Sequence, residues 1–164
     1  PLTIIPRGFG GSNMNDVLNY LDQLVLKHKP RAVLIYEGDN DVAQGVAVGT
    51  ILSTFEQVIK RIHSQDGNIR IYLLSVKPSI SRTSLWPTML EVNAGLQKIA
   101  ADDEDITYID VATPMLHADG SIRADLLVSD QLHMNQKGYD IWRNTIAPVL
   151  FKSEIRYEAS PRPQ

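Results

Sequence analysis

The chain has 164 residues, 43% of them hydrophobic and 21% charged, which predicts one globular domain with a substantial core. Its net charge of -3 and its scattered lysines and arginines argue against nucleic-acid binding. The absence of cysteine excludes disulfides, a cysteine nucleophile and thiolate metal sites, and no apolar run approaches the roughly 18 residues that a membrane helix needs. A targeting segment ahead of Pro1 is not assessable, so the compartment, cytoplasmic or secreted, stays open.

Predicted strands and helices alternate from the start of the chain. Residues 2–5 form a short apolar run that predicts a strand, and a glycine-rich turn at residues 8–11 follows it. Ser12 or Asn13 is expected to cap the next helix, which extends to about His28.

The same alternation repeats after Pro30. Residues 32–36 are a continuous run of mostly branched apolar side chains, typical of a fully buried parallel strand. The remaining predicted elements are helices over about residues 48–63 and 87–101, strands over residues 69–75 and 106–109, a short helix over residues 124–126 and a last helix from an Asn135 cap to about residue 151. This order predicts a three-layer α/β/α fold with a mostly parallel sheet. We expect a single domain over residues 1–152 and an extended tail over residues 153–164.

Three loops are expected to meet at one edge of this sheet, because each follows the carboxyl end of a predicted strand. They are the turn at residues 8–11, the turn at residues 38–41 and the loop after Ser75. Asn40 contributes a side-chain NH2 donor there, and Gly11 contributes an unobstructed backbone N–H. Together these two donors can form part of an oxyanion hole. Gly11 is explained equally well by a tight turn that needs a positive φ angle.

A second candidate cluster precedes the last helix, in the sequence Asp130-Gln131-Leu132-His133. Histidine titrates near neutral pH and suits a general base, and Asp130 can hold the second ring nitrogen of His133 and fix its tautomer. The alternative for Asp130 is a loop aspartate that caps a turn. The other histidines are interpreted as structural, and they are His28, His63 and His117.

Three ordered blocks of the sequence resemble those of the SGNH (GDSL-like) hydrolases. They are residues 7–13 for block two, residues 38–41 for block three and residues 130–133 for block five. The resemblance implies a flavodoxin-like sheet and hydrolysis of small carboxylic esters through a Ser-His-Asp acyl-enzyme route. It makes His133 the general base and acid, Asp130 its orienting partner, and Gly11, less directly Gly10, the oxyanion donor together with Asn40. It implies no cofactor and no metal.

The family's first block has no counterpart in these 164 residues. In the family, a Gly-Asp-Ser or Gly-Ser-Ser turn carries the serine nucleophile on the first strand, which lies between the strands that correspond here to residues 2–5 and 32–36. Pro6 also stands where the family often has an asparagine. We expect the two uncovered apolar edges to be templates for another chain, and therefore an oligomer. A fragment of a longer enzyme and a shortened relative without catalysis are the other interpretations.

The missing serine leaves two further hypotheses open. One is a catalytically inactive binding protein on the hydrolase scaffold. The other is a replacement nucleophile, with Ser12 as the first candidate, although helix capping explains Ser12 and no Gly-x-Ser-x-Gly elbow occurs. The remaining candidates at or after a strand end are Ser75, Ser79, Ser81 and Ser84.

The sequence gives weaker support to two other hypotheses, a dinucleotide site and a metal site. Gly8-Phe9-Gly10 followed by Glu37 is typical of a dinucleotide site, but Asn13 occupies the position of the third glycine. A site for a hard metal ion is suggested by three acidic residues, Glu37, Asp39 and Asp41. The sequence around them lacks the glycine and the distal glutamate of a calcium loop. We therefore expect a small ester substrate and neither a nucleotide cofactor nor a metal.

Overall fold

A parallel three-stranded sheet forms the centre of the computed structural model, which describes residues 2–157. The strands are β1 (Ala32–Ile35), β2 (Arg70–Leu74) and β3 (Ile106–Ile109), in the order β1-β2-β3. Ile71 of β2 lies opposite Val33 on one side and Ile106 on the other. Parallel neighbours need crossover connections, and long helices supply them here, as the alternating sequence predicts.

Within residues 2–157, six α-helices surround the sheet. They are α1 (Met14–Asn19), α2 (Leu21–Leu24), α3 (Asp39–Ala43), α4 (Val48–Gln65), α5 (Trp86–Ala101) and α6 (Gln136–Glu154). Short 3₁₀ helices lie at Leu26–His28, Ile80–Leu85, Thr113–Met115, Ala124–Leu126 and Ile155–Tyr157. No helix in this described part of the chain is long and apolar enough to cross a membrane.

The helices form one layer on each face of the sheet. Successive side chains of a strand point to opposite faces, so the residues of β2 divide between two cores. Leu73 packs in the core that contains Phe55 of α4, whereas Tyr72 and Leu74 pack in a second core with Trp142 of α6. The predicted three-layer α/β/α fold is therefore confirmed.

Of the two residues predicted as the cap of the first helix, Ser12 and Asn13, it is Asn13 that caps it, and the predicted cap at Asn135 is also present. Asn13 accepts a hydrogen bond from the Asp16 backbone N–H and closes a capping box at the start of α1, and Asn135 caps α6. The helix predicted from Asn13 to His28 is instead three pieces, α1, α2 and the 3₁₀ turn at Leu26–His28. The chain leaves helical geometry at Val25, where φ is -127° and ψ is -62°.

The strand predicted at residues 2–5 does not form. This segment has no regular secondary structure, and Ile4 and Ile5 are 72% and 52% exposed. The physical reason is the absence of a neighbour, because a strand is held by backbone hydrogen bonds to an adjacent strand. No described strand lies beside residues 2–5 to accept or donate those bonds.

The last helix extends beyond its predicted end. α6 continues to Glu154, so the first residues of the tail predicted at residues 153–164 are helical, and residues 158–164 lie outside the described residues. Glu154 is 3% exposed and accepts hydrogen bonds from Arg31, Arg70 and Tyr72. This cluster fastens the end of α6 to the start of the sheet.

Replacing Glu154 by glutamine is expected to lower the free energy of unfolding at neutral pH by about 1–3 kcal/mol, because it removes the buried charge that the partly buried Arg70 is paired with. The hydrogen bonds from Arg70 lower the pKa of Glu154 to about 2, against 4.5 for an ordinary glutamate. The contribution is therefore present above about pH 4.5 and is lost as the pH falls towards 2. Urea unfolding at about pH 7 and pH 3 measures this, with exposed Glu56→Gln as the control. An equal loss at both pH values would contradict it.

Candidate functional site

The turn after β1 can form only because residue 38 is glycine. Gly38 has φ of 108°, and a Cβ atom there would lie 2.7 Å from Cγ2 of Val76. Gly38 precedes α3, so the following asparagine, Asn40, lies in the first turn of that helix. The Gly38 backbone packs closely against the Val76 side chain, and this contact fixes the position of Asn40 above the sheet.

Asn40 is held next to the glycine-rich turn. Its Nδ2 donates to the carbonyl oxygen of Ser12 at 2.8 Å, and its Oδ1 accepts from Nη2 of Arg82 at 3.1 Å. Because Arg82 only donates, it fixes which end of the amide is the donor end. Gly11, with φ of 79°, directly precedes Ser12. The structure thus brings Gly11 and Asn40 together at the carboxyl end of β1.

A buried ion cluster lies under this turn. Asp39 is 8% exposed and accepts from Arg82 Nη1 at 2.5 Å and from Lys77 Nζ at 3.2 Å. Asp41 is 3% exposed and accepts from the backbone N–H of Met14, at the start of α1. Both carboxylates are therefore buried and hydrogen-bonded. Within the described residues, no group of three or more His, Asp or Glu side chains is arranged to hold a metal ion.

Arg82 and Lys77 are the site residues that the sequence did not predict. Both follow β2, in the loop expected to reach this edge, but the sequence contains many basic residues and no spacing singles these two out. Lys77 and Arg82 contact Asp39 and Asn40, which lie some forty positions earlier in the chain. Only the folded chain makes these contacts recognisable.

The Asp130–His133 pair forms as predicted. Nδ1 of His133 lies 2.6 Å from Oδ2 of Asp130, and Oδ1 of Asp130 accepts from the backbone N–H groups of Leu132 and His133. The hydrogen bond from the imidazole, with those two backbone donors, lowers the pKa of Asp130 to about 2. Gln131, with φ of 58°, turns the chain between them. Asp130 is therefore ionised at neutral pH and oriented to accept a hydrogen bond from Nδ1–H of His133.

The ion cluster also fastens the histidine loop. Lys77 donates from Nζ to the carbonyl oxygen of Leu132 at 2.9 Å, and the backbone N–H of Ser81 donates to the Gln131 carbonyl at 3.1 Å. The side chain of His133 is 71% exposed, and no described hydrogen bond joins it directly to Asn40. The same Lys77 ammonium thus connects the loop of His133 with the turn of Asn40 through Asp39.

Two of the candidate serines have partners other than His133, and the buried Oγ of Ser79 has none among the described residues. Ser12 Oγ donates to Oε1 of Glu37 at 2.5 Å, and Ser75 Oγ accepts from the backbone N–H groups of Val111 and Ala112. Ser79 is 1% exposed. In the described part of the chain, no serine is hydrogen-bonded to His133.

Replacing Glu37 by glutamine is expected to change how stability depends on pH. Burial raises the pKa of Glu37 to about 7, from 4.5 for an ordinary glutamate. Between these values the folded chain retains a proton that the unfolded chain has released, so stability falls as the pH rises. We expect Glu37→Gln to gain on the order of 1 kcal/mol relative to the original chain between about pH 5 and pH 8. Urea unfolding of both proteins measures this, with exposed Glu91→Gln as the control. A difference independent of pH would contradict it.

The α/β/α fold thus carries an aspartate–histidine pair on one loop and holds Asn40 beside the glycine-rich turn at the carboxyl end of β1. A model of the GDSL-like lipase/acylhydrolase family matches residues 1–141. The chain belongs to this family, whose members cleave ester bonds. A search of curated protein sequences gave no significant match.

Several solved structures share this fold. A GDSL-like lipase from Bacteroides thetaiotaomicron shares 21% identity, with a TM-score of 0.78 over 90% of this chain and 75% of that one. A lipase/acylhydrolase from Enterococcus faecalis shares 24% identity, with a TM-score of 0.73 over 94% and 75% of the two chains. A carbohydrate esterase family 3 protein from Talaromyces cellulolyticus shares 19% identity, with a TM-score of 0.76 over 93% and 72%. At these identities the likeness establishes the fold.

Proposed function

We propose that this protein is the scaffold of a Ser-His-Asp hydrolase of small carboxylic esters, with the serine supplied from outside the residues described here. The observation that carries the proposal is the 2.6 Å contact between Nδ1 of His133 and Oδ2 of Asp130 on an exposed loop. With Nδ1–H donated to the carboxylate, Nε2 is the basic nitrogen and faces solvent. That is the nitrogen which accepts the proton of an attacking hydroxyl.

The oxyanion donors are the Gly11 N–H and the Asn40 NH2 group. Gly11 carries no side chain, and nothing lies within 4 Å of where its Cβ would be, so a substrate can approach its N–H. Asn40 uses one of its two amide hydrogens on the Ser12 carbonyl, which leaves the second for an oxyanion. Gly10 is the alternative glycine donor, in equally open surroundings.

The reaction then has two halves. The serine hydroxyl attacks the ester carbonyl as its proton passes to Nε2 of His133, and the tetrahedral oxyanion accepts hydrogen bonds from Gly11 and Asn40. Collapse of this intermediate expels the alcohol, which takes the proton from His133. Water, deprotonated by the same imidazole, then releases the acid and restores the serine.

A binding protein that uses the same cleft without catalysis is the second candidate. The observation that favours it is the set of serine contacts, because Ser12 is bonded to Glu37 and Ser75 to backbone donors, away from His133. Oligomer formation through the uncovered edge of the sheet is compatible with either candidate.

The test is a chain in which these 164 residues follow a strand that ends in Gly-Asp-Ser, called here the serine-strand chain. Its matched control ends in Gly-Asp-Ala. The proposal expects hydrolysis of p-nitrophenyl acetate by the first and none by the second. If both are folded and neither hydrolyses the ester, the binding protein is the correct function.

A further inference from the structure

Three charged side chains, Asp39, Lys77 and Arg82, lie together beside the site, and we define these three as the ion cluster. Asp39 and Lys77 are 8% and 6% exposed. The carboxylate of Asp39 accepts from both cations, and it also accepts from Oη of Tyr36 at 3.3 Å. Replacing a buried ion group by well-packed apolar side chains is often neutral or stabilising, so the fold alone does not account for the ion cluster.

Each cation of the ion cluster makes a second bond to a neutral acceptor, because arginine and lysine carry several N–H donors. Nη2 of Arg82 donates to Oδ1 of Asn40 at 3.1 Å, and Nζ of Lys77 donates to the carbonyl oxygen of Leu132 at 2.9 Å. Asn40 carries the proposed oxyanion donor, and Leu132 directly precedes His133. The ion cluster therefore contacts both halves of the site.

The bond from Lys77 holds the peptide group that leads into His133. The carbonyl of Leu132 and the N–H of His133 belong to one planar peptide group. Lys77 holds the oxygen of this group, and Oδ1 of Asp130 accepts from its N–H at 2.9 Å. The peptide plane is therefore held at both ends, which sets the direction in which the His133 side chain leaves the backbone.

The guanidinium of Arg82 holds Asn40 at two points. Nη1 donates to the backbone carbonyl of Asp39 at 3.0 Å, and this carbonyl shares a peptide group with the N–H of Asn40. Nη2 holds the side-chain oxygen of Asn40. Because the guanidinium is planar and rigid, these bonds fix the backbone and the amide of Asn40 relative to each other. A lysine ammonium is a compact point charge without this fork geometry.

We propose that Lys77 and Arg82 are positioning residues that act as one unit through Asp39, so that the loop of His133 and the amide of Asn40 are coupled. The coupling follows from the contacts and does not depend on ester hydrolysis. Its effect on catalysis rests on the proposed function, in which a misplacement of about 1 Å costs on the order of a hundredfold in rate. Neither cation touches the substrate in this role, so substrate binding is expected to change little.

Lys77→Met in the 164-residue chain tests the coupling, because Lys77 has no described hydrogen bond to Asn40. We expect hydrogen exchange at the His133 amide to become at least about tenfold faster, and the NMR signals of the Asn40 NH2 group to shift. The matched control is Lys60→Met, because Lys60 is exposed on α4, and it is expected to leave both measurements unchanged. Unmoved Asn40 signals in a folded Lys77→Met protein, or equal shifts in the control, would overturn the proposal.

Arg82→Lys is the second variant, and it keeps a cation for Asp39. We expect it to shift the Asn40 signals while exchange at the His133 amide stays within about twofold of the parent, because Asp39 and Lys77 remain paired. This variant decides the question if Lys77→Met does not fold. Unchanged Asn40 signals in the Arg82→Lys protein would overturn the proposal.

Kinetics on the serine-strand chain test the effect on catalysis. Lys77→Met and Arg82→Lys are each expected to lower kcat by about tenfold to a hundredfold, with KM within about twofold of the parent. A purely structural role would lower the urea midpoint and leave kcat of the folded protein unchanged, and that result would overturn the positioning role. If the serine-strand chain hydrolyses no ester, the proposed function fails, while the NMR measurements on the 164-residue chain still decide the coupling.

Discussion

Replacing His133 by alanine in the serine-strand chain is expected to abolish hydrolysis of p-nitrophenyl acetate, with a loss in kcat of at least about 10³-fold. Without the imidazole, no group accepts the hydroxyl proton during attack, and none returns a proton to the leaving alcohol. Asp130 cannot substitute, because its pKa near 2 makes it a weak base and its oxygens are bonded to the loop. Steady-state kinetics on the purified variant measure the effect.

The control for this variant is His117→Ala, because His117 is an exposed histidine in another loop. It is expected to retain the full rate, whereas residual hydrolysis by an identically prepared His133→Ala protein would reveal a contaminating esterase. Both variants should unfold at the same urea concentration as the parent, since His133 is largely exposed. A His133→Ala protein that hydrolyses the ester at the parental rate would remove His133 from the mechanism.

Replacing Asn40 by alanine is expected to lower kcat on the order of 10² to 10³-fold, with a smaller change in KM. The amide donates to charge that develops only in the transition state, so its loss affects the chemical step more than substrate binding. Arg82 holds the oxygen of the same amide, and this keeps the NH2 end directed towards Ser12 and the adjoining Gly11. Kinetics with p-nitrophenyl acetate separate the two parameters.

Asn144→Ala, at an exposed asparagine of α6, is the control for Asn40→Ala and is expected to leave kcat unchanged. Removing Asn40 also removes its hydrogen bond to Ser12, so the stability of the variant must be measured beside its rate. A kcat within about twofold of the parent in a folded Asn40→Ala protein would exclude the amide from the oxyanion hole.

Much of the fold was predictable because its signals are local. The strand at Ala32–Ile35 is a continuous apolar run, but the prediction that it is fully buried was wrong, because β1 is an edge strand among the described residues and Leu34 is 44% exposed. The caps at Asn13 and Asn135 act within three residues of themselves. The Asp130–His133 pair was predictable for the same reason, since both partners lie in one short loop.

The failures of prediction come from contacts between distant parts of the chain. Residues 2–5 have the composition of a strand, but a strand also needs a neighbour, which composition does not reveal. The burial of Asp39 depends on Lys77 and Arg82, some forty residues away. The last turn of α6 is held by hydrogen bonds from Arg31, just before β1, and from Arg70, at the start of β2, to Glu154.

In the proposed function, His133 is the general base for a serine that lies outside the described residues. Labelling with a fluorophosphonate, followed by mass spectrometry of the peptides, tests this most directly. We expect no label on the 164-residue chain and one label on the added serine of the serine-strand chain. The His133→Ala variant of the serine-strand chain is expected to carry no label. A label on Ser12 of the 164-residue chain would contradict it, and Ser12 would then be the nucleophile.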